Sequence, residues 1–76
     1  MWAEQIVSRD PEVMGGELVF AGTRVPVQAL VHYLKAGNAL EVFLEDFPTV
    51  ERGQAEAYLQ ASVAALDELR SHARPA

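Results

Sequence analysis

The sequence predicts a mainly α-helical fold with a small β-arm, in which a three-helix helix-turn-helix core carries an extended C-terminal helix. Two observations predict it. Short β-branched runs between proline and glycine turns fill residues 1–25, and apolar residues then recur at helical spacing in three blocks over residues 26–71. The chain has 76 residues, the size of one domain. We therefore expect 1–76 to form a single unit that ends in a frayed tail at 72–76.

The β-arm is predicted from two short apolar runs and the turns between them. The runs "QIVSR" (5–9) and "ELVF" (17–20) are separated by a "DP" and a "GG" dipeptide, and both dipeptides are typical of turns. This pattern predicts a hairpin. A two-stranded hairpin is marginal alone in water, so we expect it to pack on the helices or to pair with a second chain.

The ends of the first two predicted helices are marked by proline, glycine and capping residues. Pro26 suits a first helical turn because its missing N–H has no intrahelical partner there, and Gly37 is expected to end the helix in a left-handed conformation. Asn38 is then expected to cap the second helix, with Glu41 completing a capping box. That helix ends before Pro48.

The third predicted helix is the longest, over residues 50–71, with Thr49 as its N-cap. Its apolar stripe follows 4-3-4-3 spacing through Ala55, Leu59, Ser62, Leu66 and Leu69. The later part of this helix extends beyond the two shorter helices, and little of the chain remains to cover it. We expect a second protomer or a partner protein to cover that end.

Composition excludes several classes of function. The chain has no cysteine, which removes disulfides and thiolate chemistry, and its two histidines lie far apart without carboxylates at ligand spacing, so we expect no metal or cofactor. No nucleophile stands in a recognisable motif, so we expect neither an enzyme nor a small-molecule substrate. No apolar run approaches the roughly 20 residues that span a membrane, and the acidic N-terminal stretch is unlike a signal peptide. These features favour a cytoplasmic protein.

The stretch "DPEVMGGELVFAGTRVPVQALVHYLKAGNALEVFLEDFPTV" resembles the DUF433 family over residues 6–60. The resemblance rests on the "DP" strand end, the "GG" turn, the "GTRVPV" segment at 22–27 and the downstream "DFP" at 46–48. Two positions depart from the family pattern. Leu18 stands where the family often has proline, and Val42 stands where an acidic residue is common.

The resemblance implies a β-arm with a helix-turn-helix, often as a homodimer. Many proteins of the family look like antitoxins of type II toxin–antitoxin systems, encoded beside a PIN-like (DUF5615) ribonuclease toxin. Such an antitoxin would bind its operator DNA through the helix-turn-helix and neutralise the toxin with another segment.

The residues expected to face DNA lie at the start of the third helix. In a helix-turn-helix, the N-terminal residues of the second helix of the unit approach base edges in the major groove. This geometry would expose Thr49, Arg52, Gln54 and Tyr58, with Arg52 pairing with guanine or phosphate and Gln54 with adenine. The alternative is structural: Thr49 caps the helix, and Arg52 forms an i, i+4 surface pair with Glu56.

Charge favours the structural alternative. The net charge is −5, and residues 37–48 carry three acids and no base. An acidic chain does not attract phosphates at long range. Binding to DNA by the isolated chain is therefore disfavoured, although a basic partner would tighten it.

The surface expected to bind a partner lies near the C-terminus. Val63, Leu66 and Leu69 form its apolar part. Arg70 and Arg74 follow, and a guanidinium would neutralise the carboxylate-rich site of a PIN-like nuclease. The alternative is a solvated end in which Arg70 complements the helix dipole.

The "GTRVPV" segment is expected to be structural. Gly22 supplies a turn position with positive φ, and Pro26 starts a helix. Arg24 is expected to be at least half-buried at the strand-to-helix junction, paired with Asp10 or Asp46. This predicts that Arg24→Ala lowers stability.

Two functions follow from the sequence. The first is an antitoxin-like, DNA-binding regulator that dimerises and neutralises a PIN-like ribonuclease. The alternative is a protein-interaction or assembly module that has a helix-turn-helix shape and binds no DNA.

Overall fold

The computed structural model describes the backbone of residues 3–73 and the side chains of residues 3–70. The predicted fold class is confirmed, because helices dominate and the strands form one small antiparallel hairpin. The elements in chain order are α1 (Ala3–Ile6), β1 (Val7–Ser8), β2 (Val19–Phe20), α2 (Val27–Lys35), α3 (Leu40–Asp46) and α4 (Arg52–Ala73).

The hairpin is shorter than its predicted runs. Val7 lies opposite Phe20 and Ser8 lies opposite Val19, so each strand has two residues. The segment before β1 forms the single helical turn α1 instead of extending the strand, because its alanine, glutamate and glutamine are good helix formers. Val19 also makes an antiparallel bridge to Pro26, so β2 lies between β1 and the segment that leads into α2.

The connection between α2 and α3 differs from the predicted capping box. Gly37 has the expected left-handed φ of 89°. The Asn38 side chain, however, caps no helix N-terminus: its Nδ2 donates to the Tyr33 carbonyl oxygen at 3.2 Å. Ala39 occupies the N-cap of α3. Asn38 thus satisfies one of the carbonyls that the end of α2 leaves free.

The start of α4 also differs from prediction. The helix begins at Arg52, so Thr49 lies in the preceding turn and does not cap it. The residue before the helix is Glu51, whose backbone N–H donates to Gln54 Oε1 at 3.4 Å. A side chain three residues into the helix therefore reaches back to the N-cap N–H, which is one half of a capping box.

The core lies where the hairpin, α2, α3 and the first turns of α4 meet. Phe20, Leu30, Phe43 and Ala55 are fully buried. The Phe43 ring contacts those of Phe20, Tyr33 and Phe47 at centroid distances of 5.0–6.0 Å. Aromatic pairs of this kind stabilise a small core beyond the area that they bury. Within the described part of the chain, none of the helices has the length and apolar character needed to cross a bilayer.

Candidate interaction surfaces

The first candidate surface is the start of α4, where the sequence predicts contacts with DNA. Arg52 is exposed, but its guanidinium is already paired. Its Nη2 donates to Glu41 Oε2 at 3.0 Å, and its Nη1 donates to Glu56 Oε2 at 3.5 Å. These contacts raise the pKa of Arg52, with the hydrogen bond to Glu41 as the largest cause. The structural alternative for Arg52, a surface pair with Glu56, is therefore present.

Gln54 does not face solvent, so the prediction that its side chain is exposed is wrong. Its side chain is buried, and Nε2 lies 2.9–3.3 Å from the backbone carbonyl oxygens of Gln5, Ile6 and Ala21. The amide thereby joins α4 to α1 and to the turn after β2. A buried amide that donates to backbone carbonyls is structural, because exposing it would remove a donor from each of those acceptors.

The other two residues predicted to contact DNA have different environments. Thr49 is exposed in the turn before α4. Tyr58 is half-buried, and its ring packs edge-on against Phe20 at 5.8 Å. The four predicted residues therefore do not form one exposed surface: one is buried, one packs on the core and one is paired with two carboxylates.

The second candidate surface is the outer half of α4, which we define as residues 63–70. Val63, Leu66 and Leu69 are 61%, 65% and 62% exposed, so the predicted apolar stripe is present and is not covered by the described residues. Arg70 is exposed, and its guanidinium makes no ion pair within the described residues. The predicted contact residue Arg74 lies outside the described residues.

The third candidate surface is the turn that carries the "GTRVPV" segment. Gly22 has a φ of 77°, which explains glycine at this position. The Thr23 hydroxyl donates to the Phe20 carbonyl oxygen at 2.8 Å and accepts from the Val25 N–H at 3.0 Å. Pro26 is the N-cap of α2, with extended backbone, and lies just before the helix instead of in its first turn. The turn is thus held from within by its own hydrogen bonds.

The prediction that Arg24 is a buried clamp is wrong. Arg24 is exposed, and no carboxylate of the described residues pairs with it. Both candidate partners are engaged elsewhere. Asp10 Oδ1 accepts from the Glu12 N–H at 2.9 Å, and Asp46 accepts from the Tyr33 hydroxyl, a hydrogen bond that raises the pKa of Tyr33.

An open cavity of about 800 Å³ lies beside this turn. Arg24 and Arg9 line it together with Asp10, and apolar walls come from residues that include Val13 and Phe47. Sequence reasoning missed this cavity. The signal available in the sequence is a pair of arginines next to two turns, but their proximity depends on the pairing of β1 with β2.

Metal chemistry finds no support in the described residues, where no group of three or more potential ligands comes together.

The comparisons with known proteins identify a family and assign no activity. The family described as "Protein of unknown function (DUF433)" matches residues 7–60. A curated relative, "Uncharacterized protein y4eO" of Sinorhizobium fredii (strain NBRC 101917 / NGR234), is 39% identical over 49 residues, which cover 64% of this chain and 22% of that protein. The chain thus spans about a fifth of the length of the curated relative that it matches. No solved structure matches the chain.

Proposed function

The chain belongs to the DUF433 family, and from that premise we propose that it is a protein-interaction module in which two copies associate through the outer half of α4. The observation that carries this proposal is the exposure of Val63, Leu66 and Leu69, each more than 60% exposed on one helix. Apolar residues at this spacing are typical of a helix that packs against another helix. The small core of a chain of this size also favours association.

Charge supports a second copy in antiparallel orientation as the occupant of this surface. Glu56 and Arg70 each lie seven residues from Val63, on opposite sides of it. A twofold axis at Val63 would place Glu56 of one helix opposite Arg70 of the other, twice in each dimer, because a symmetric interface repeats each contact. The outer half of each copy would then pack along residues 56–63 of its partner, and Glu56 would add Arg70 to its contact with Arg52. A parallel pair would instead bring like charges together, which is unfavourable.

DNA recognition at the predicted residues is not part of this proposal. The Gln54 amide is occupied by backbone carbonyls, and the Arg52 charge is balanced by Glu41 and Glu56. A net charge of −5 adds long-range repulsion from a nucleic acid. These observations favour the interaction module over the DNA-binding regulator.

The antitoxin-like role implied by the family resemblance is a second candidate function, favoured by one observation. Arg70 is exposed beside the apolar stripe with no carboxylate partner within the described residues. A guanidinium in this position suits the carboxylate-rich site of a PIN-like ribonuclease. In that case the toxin competes with the second copy for the outer half of α4.

Sedimentation over a range of protein concentrations tests the proposal. We expect a dimer whose dissociation constant rises about tenfold or more for Leu66→Ser, because the interface loses the same apolar contact in both copies. Val42→Ser, at a position 38% exposed on α3, is the matched control and should dimerise like the parent. Arg70→Glu should weaken the dimer, and Glu56→Arg combined with it should restore the antiparallel charge pairs.

A parent chain that remains monomeric at every concentration would contradict the proposal. Co-expression with a PIN-like protein encoded beside the gene separates the two candidates. A complex that requires Leu66 and Arg70 and forms from monomeric chains would favour the antitoxin-like role. A stable dimer that captures no such protein would favour the interaction module.

A further inference from the structure

The cavity beside the "GTRVPV" turn carries an inference that is independent of α4. We propose that this cavity binds an acidic segment of a partner protein, with Arg24 and Arg9 contacting a carboxylate and the apolar walls contacting the neighbouring side chain. Residues 63–70 take no part in this site. Leu66 lies about 21 Å along the helix axis from Arg52, at ~1.5 Å per residue, and the cavity lies beside the loop before Arg52.

The charge in the cavity is positive although the chain is acidic. Arg9, Arg24 and one acidic residue, Asp10, line it, while the whole chain carries a net charge of −5. The carboxylate, Asp10, accepts from the Glu12 N–H in its own turn. Neither arginine forms an ion pair among the described residues. Two arginines that line one cavity and form no ion pair among the described residues provide the donors that a carboxylate requires.

The position of these arginines is fixed by the turns that carry them. Arg9 Nη1 donates to the Gly16 carbonyl oxygen at 3.0 Å, which leaves the rest of its guanidinium available. Arg24 follows Thr23, whose N–H donates to the Phe20 carbonyl oxygen, and the Phe20 N–H in turn donates to the Val25 carbonyl oxygen at 2.9 Å. A backbone held in this way loses little conformational freedom when a ligand binds. Binding therefore costs less conformational entropy than it would at a loop that must first become ordered.

The apolar walls favour a protein segment over a nucleic acid. Val13, Val25 and Phe47 line the cavity beside the two cations, so a ligand gains most if its anionic group adjoins an aliphatic or aromatic side chain. An aspartate or glutamate next to leucine or phenylalanine has this chemistry. A polyanion would meet the repulsion of the acidic chain around the cavity.

Titration of the ¹⁵N-labelled full chain with short peptides tests this site by NMR. The probe is a blocked tetrapeptide that alternates leucine with aspartate, and its control carries asparagine in place of aspartate. We expect the acidic probe to shift the amide signals of Gly22, Thr23 and Arg24, and the control to bind about tenfold more weakly or not at all.

Two variants assign the effect to the cavity. Arg24→Gln should weaken binding of the acidic probe about tenfold while the variant unfolds at the parent temperature, because Arg24 is exposed and forms no ion pair among the described residues. Lys35→Gln, which removes an exposed cation at the end of α2, is the matched control and should bind like the parent. The dimer dissociation constant of Arg24→Gln should equal that of the parent, which separates this site from the association through α4.

Three results would overturn the inference. The first is equal binding of the acidic and asparagine peptides, which would remove the role of charge. The second is inorganic phosphate binding at this turn as tightly as the peptide, which would indicate a site for a free anion. The third is tighter binding of a single-stranded oligonucleotide at the same amides, which would assign the cavity to nucleic acid.

Discussion

The two halves of α4 have similar amphipathic sequences and opposite environments. In the inner half, residues 52–62, Ala55 is fully buried and Gln54 donates to the carbonyls of the N-terminal segment. In the outer half, residues 63–70, the leucines of the same stripe are more than 60% exposed. The difference arises because Ala55 of the inner half lies in the core that the hairpin, α2 and α3 share, whereas Val63, Leu66 and Leu69 lie outside it. A periodic apolar stripe therefore predicts which face of a helix is buried, but it does not identify what buries it.

This difference has a consequence for stability. Isolated helical segments of eight or ten residues are marginal in water, and most helical stability in proteins comes from packing of the apolar face. The inner half has that packing within the chain. The outer half lacks it among the described residues, so its order should depend on association.

The largest effect is expected where the inner half meets the core. Phe43→Ala removes a fully buried ring that contacts three other aromatic residues, so it should lower the free energy of unfolding by about 3–5 kcal/mol. That loss is comparable with the whole stability of a small domain. Thermal unfolding followed by circular dichroism measures it, and the variant should be largely unfolded at room temperature.

Phe43→Leu keeps the experiment informative if the alanine variant does not fold. It preserves most of the apolar volume, so a smaller loss of about 1–1.5 kcal/mol is expected. At roughly 4–8 °C per kcal/mol for a domain of this size, the melting temperature should fall by about 4–12 °C. An unchanged melting temperature for both variants would contradict the described core.

The second effect concerns the buried amide of the inner half. Gln54→Glu replaces the donor with a carboxylate that faces three backbone carbonyl oxygens, so stability should fall by about 1–3 kcal/mol or more. Gln60→Glu makes the same chemical change at an exposed position two turns later and should cost less than about 0.5 kcal/mol. Urea unfolding of the two variants measures the difference. Equal losses would show that the Gln54 amide does not anchor α4.

The burial of Gln54 is a feature that could not be predicted from the sequence. Glycine at 22 and 37 could be placed from sequence, because a left-handed φ is a local requirement that few other residues meet. The helices α2, α3 and α4 follow from local periodicity, and so does the apolar stripe of α4. The hairpin follows from two β-branched runs separated by turn residues, whereas α1 was not predicted. Gln54 is different, since its carbonyl partners lie 33–49 residues away in the chain. No local pattern distinguishes it from a glutamine that faces solvent.

The two arginines at the predicted sites illustrate the same limit. Arg52 could be predicted to pair with Glu56, which lies one turn later on the same helix, but its shorter contact is to Glu41 on α3. The sequence predicts that Arg24 is at least half-buried at the strand-to-helix junction and paired with Asp10 or Asp46. In the structure, the hydroxyl of Thr23 stabilises that turn, and the charge of Arg24 remains free of carboxylates in the described residues. Ion pairing depends on tertiary proximity, which residue type alone does not fix.

The third effect belongs to the outer half and should be small in the monomer. Leu69→Ala should change the free energy of unfolding by less than about 0.5 kcal/mol in dilute solution, because the leucine is exposed and alanine is the better helix former. At high concentration the parent should gain stability from association, and the variant should gain less. Melting temperatures at two concentrations measure both quantities. A large loss in dilute solution would mean that the outer half packs on its own chain.

The smallest effect concerns the ion pair that joins α3 to the start of the inner half. The pKa of Glu41 is lowered, first by the hydrogen bond from its own backbone N–H and then by Arg52. A carboxyl group with a lowered pKa in the folded state contributes stability at higher pH, and this contribution is lost as the pH falls through the folded pKa, below the ordinary value of 4.5. Because both partners are exposed, solvent screening keeps the contribution small.

Glu41→Gln should therefore slightly reduce the loss of stability at acid pH. Glu45→Gln is the matched control, because Glu45 is an exposed carboxylate on the same helix and forms no ion pair among the described residues. This control should leave the Glu41 contribution in place. Addition of salt should reduce the difference between the two variants, because the Arg52 contact is open to screening by ions. If the difference were independent of salt, the backbone N–H at the first turn of α3 would account for it, and the link between α3 and α4 would rest on apolar contacts alone.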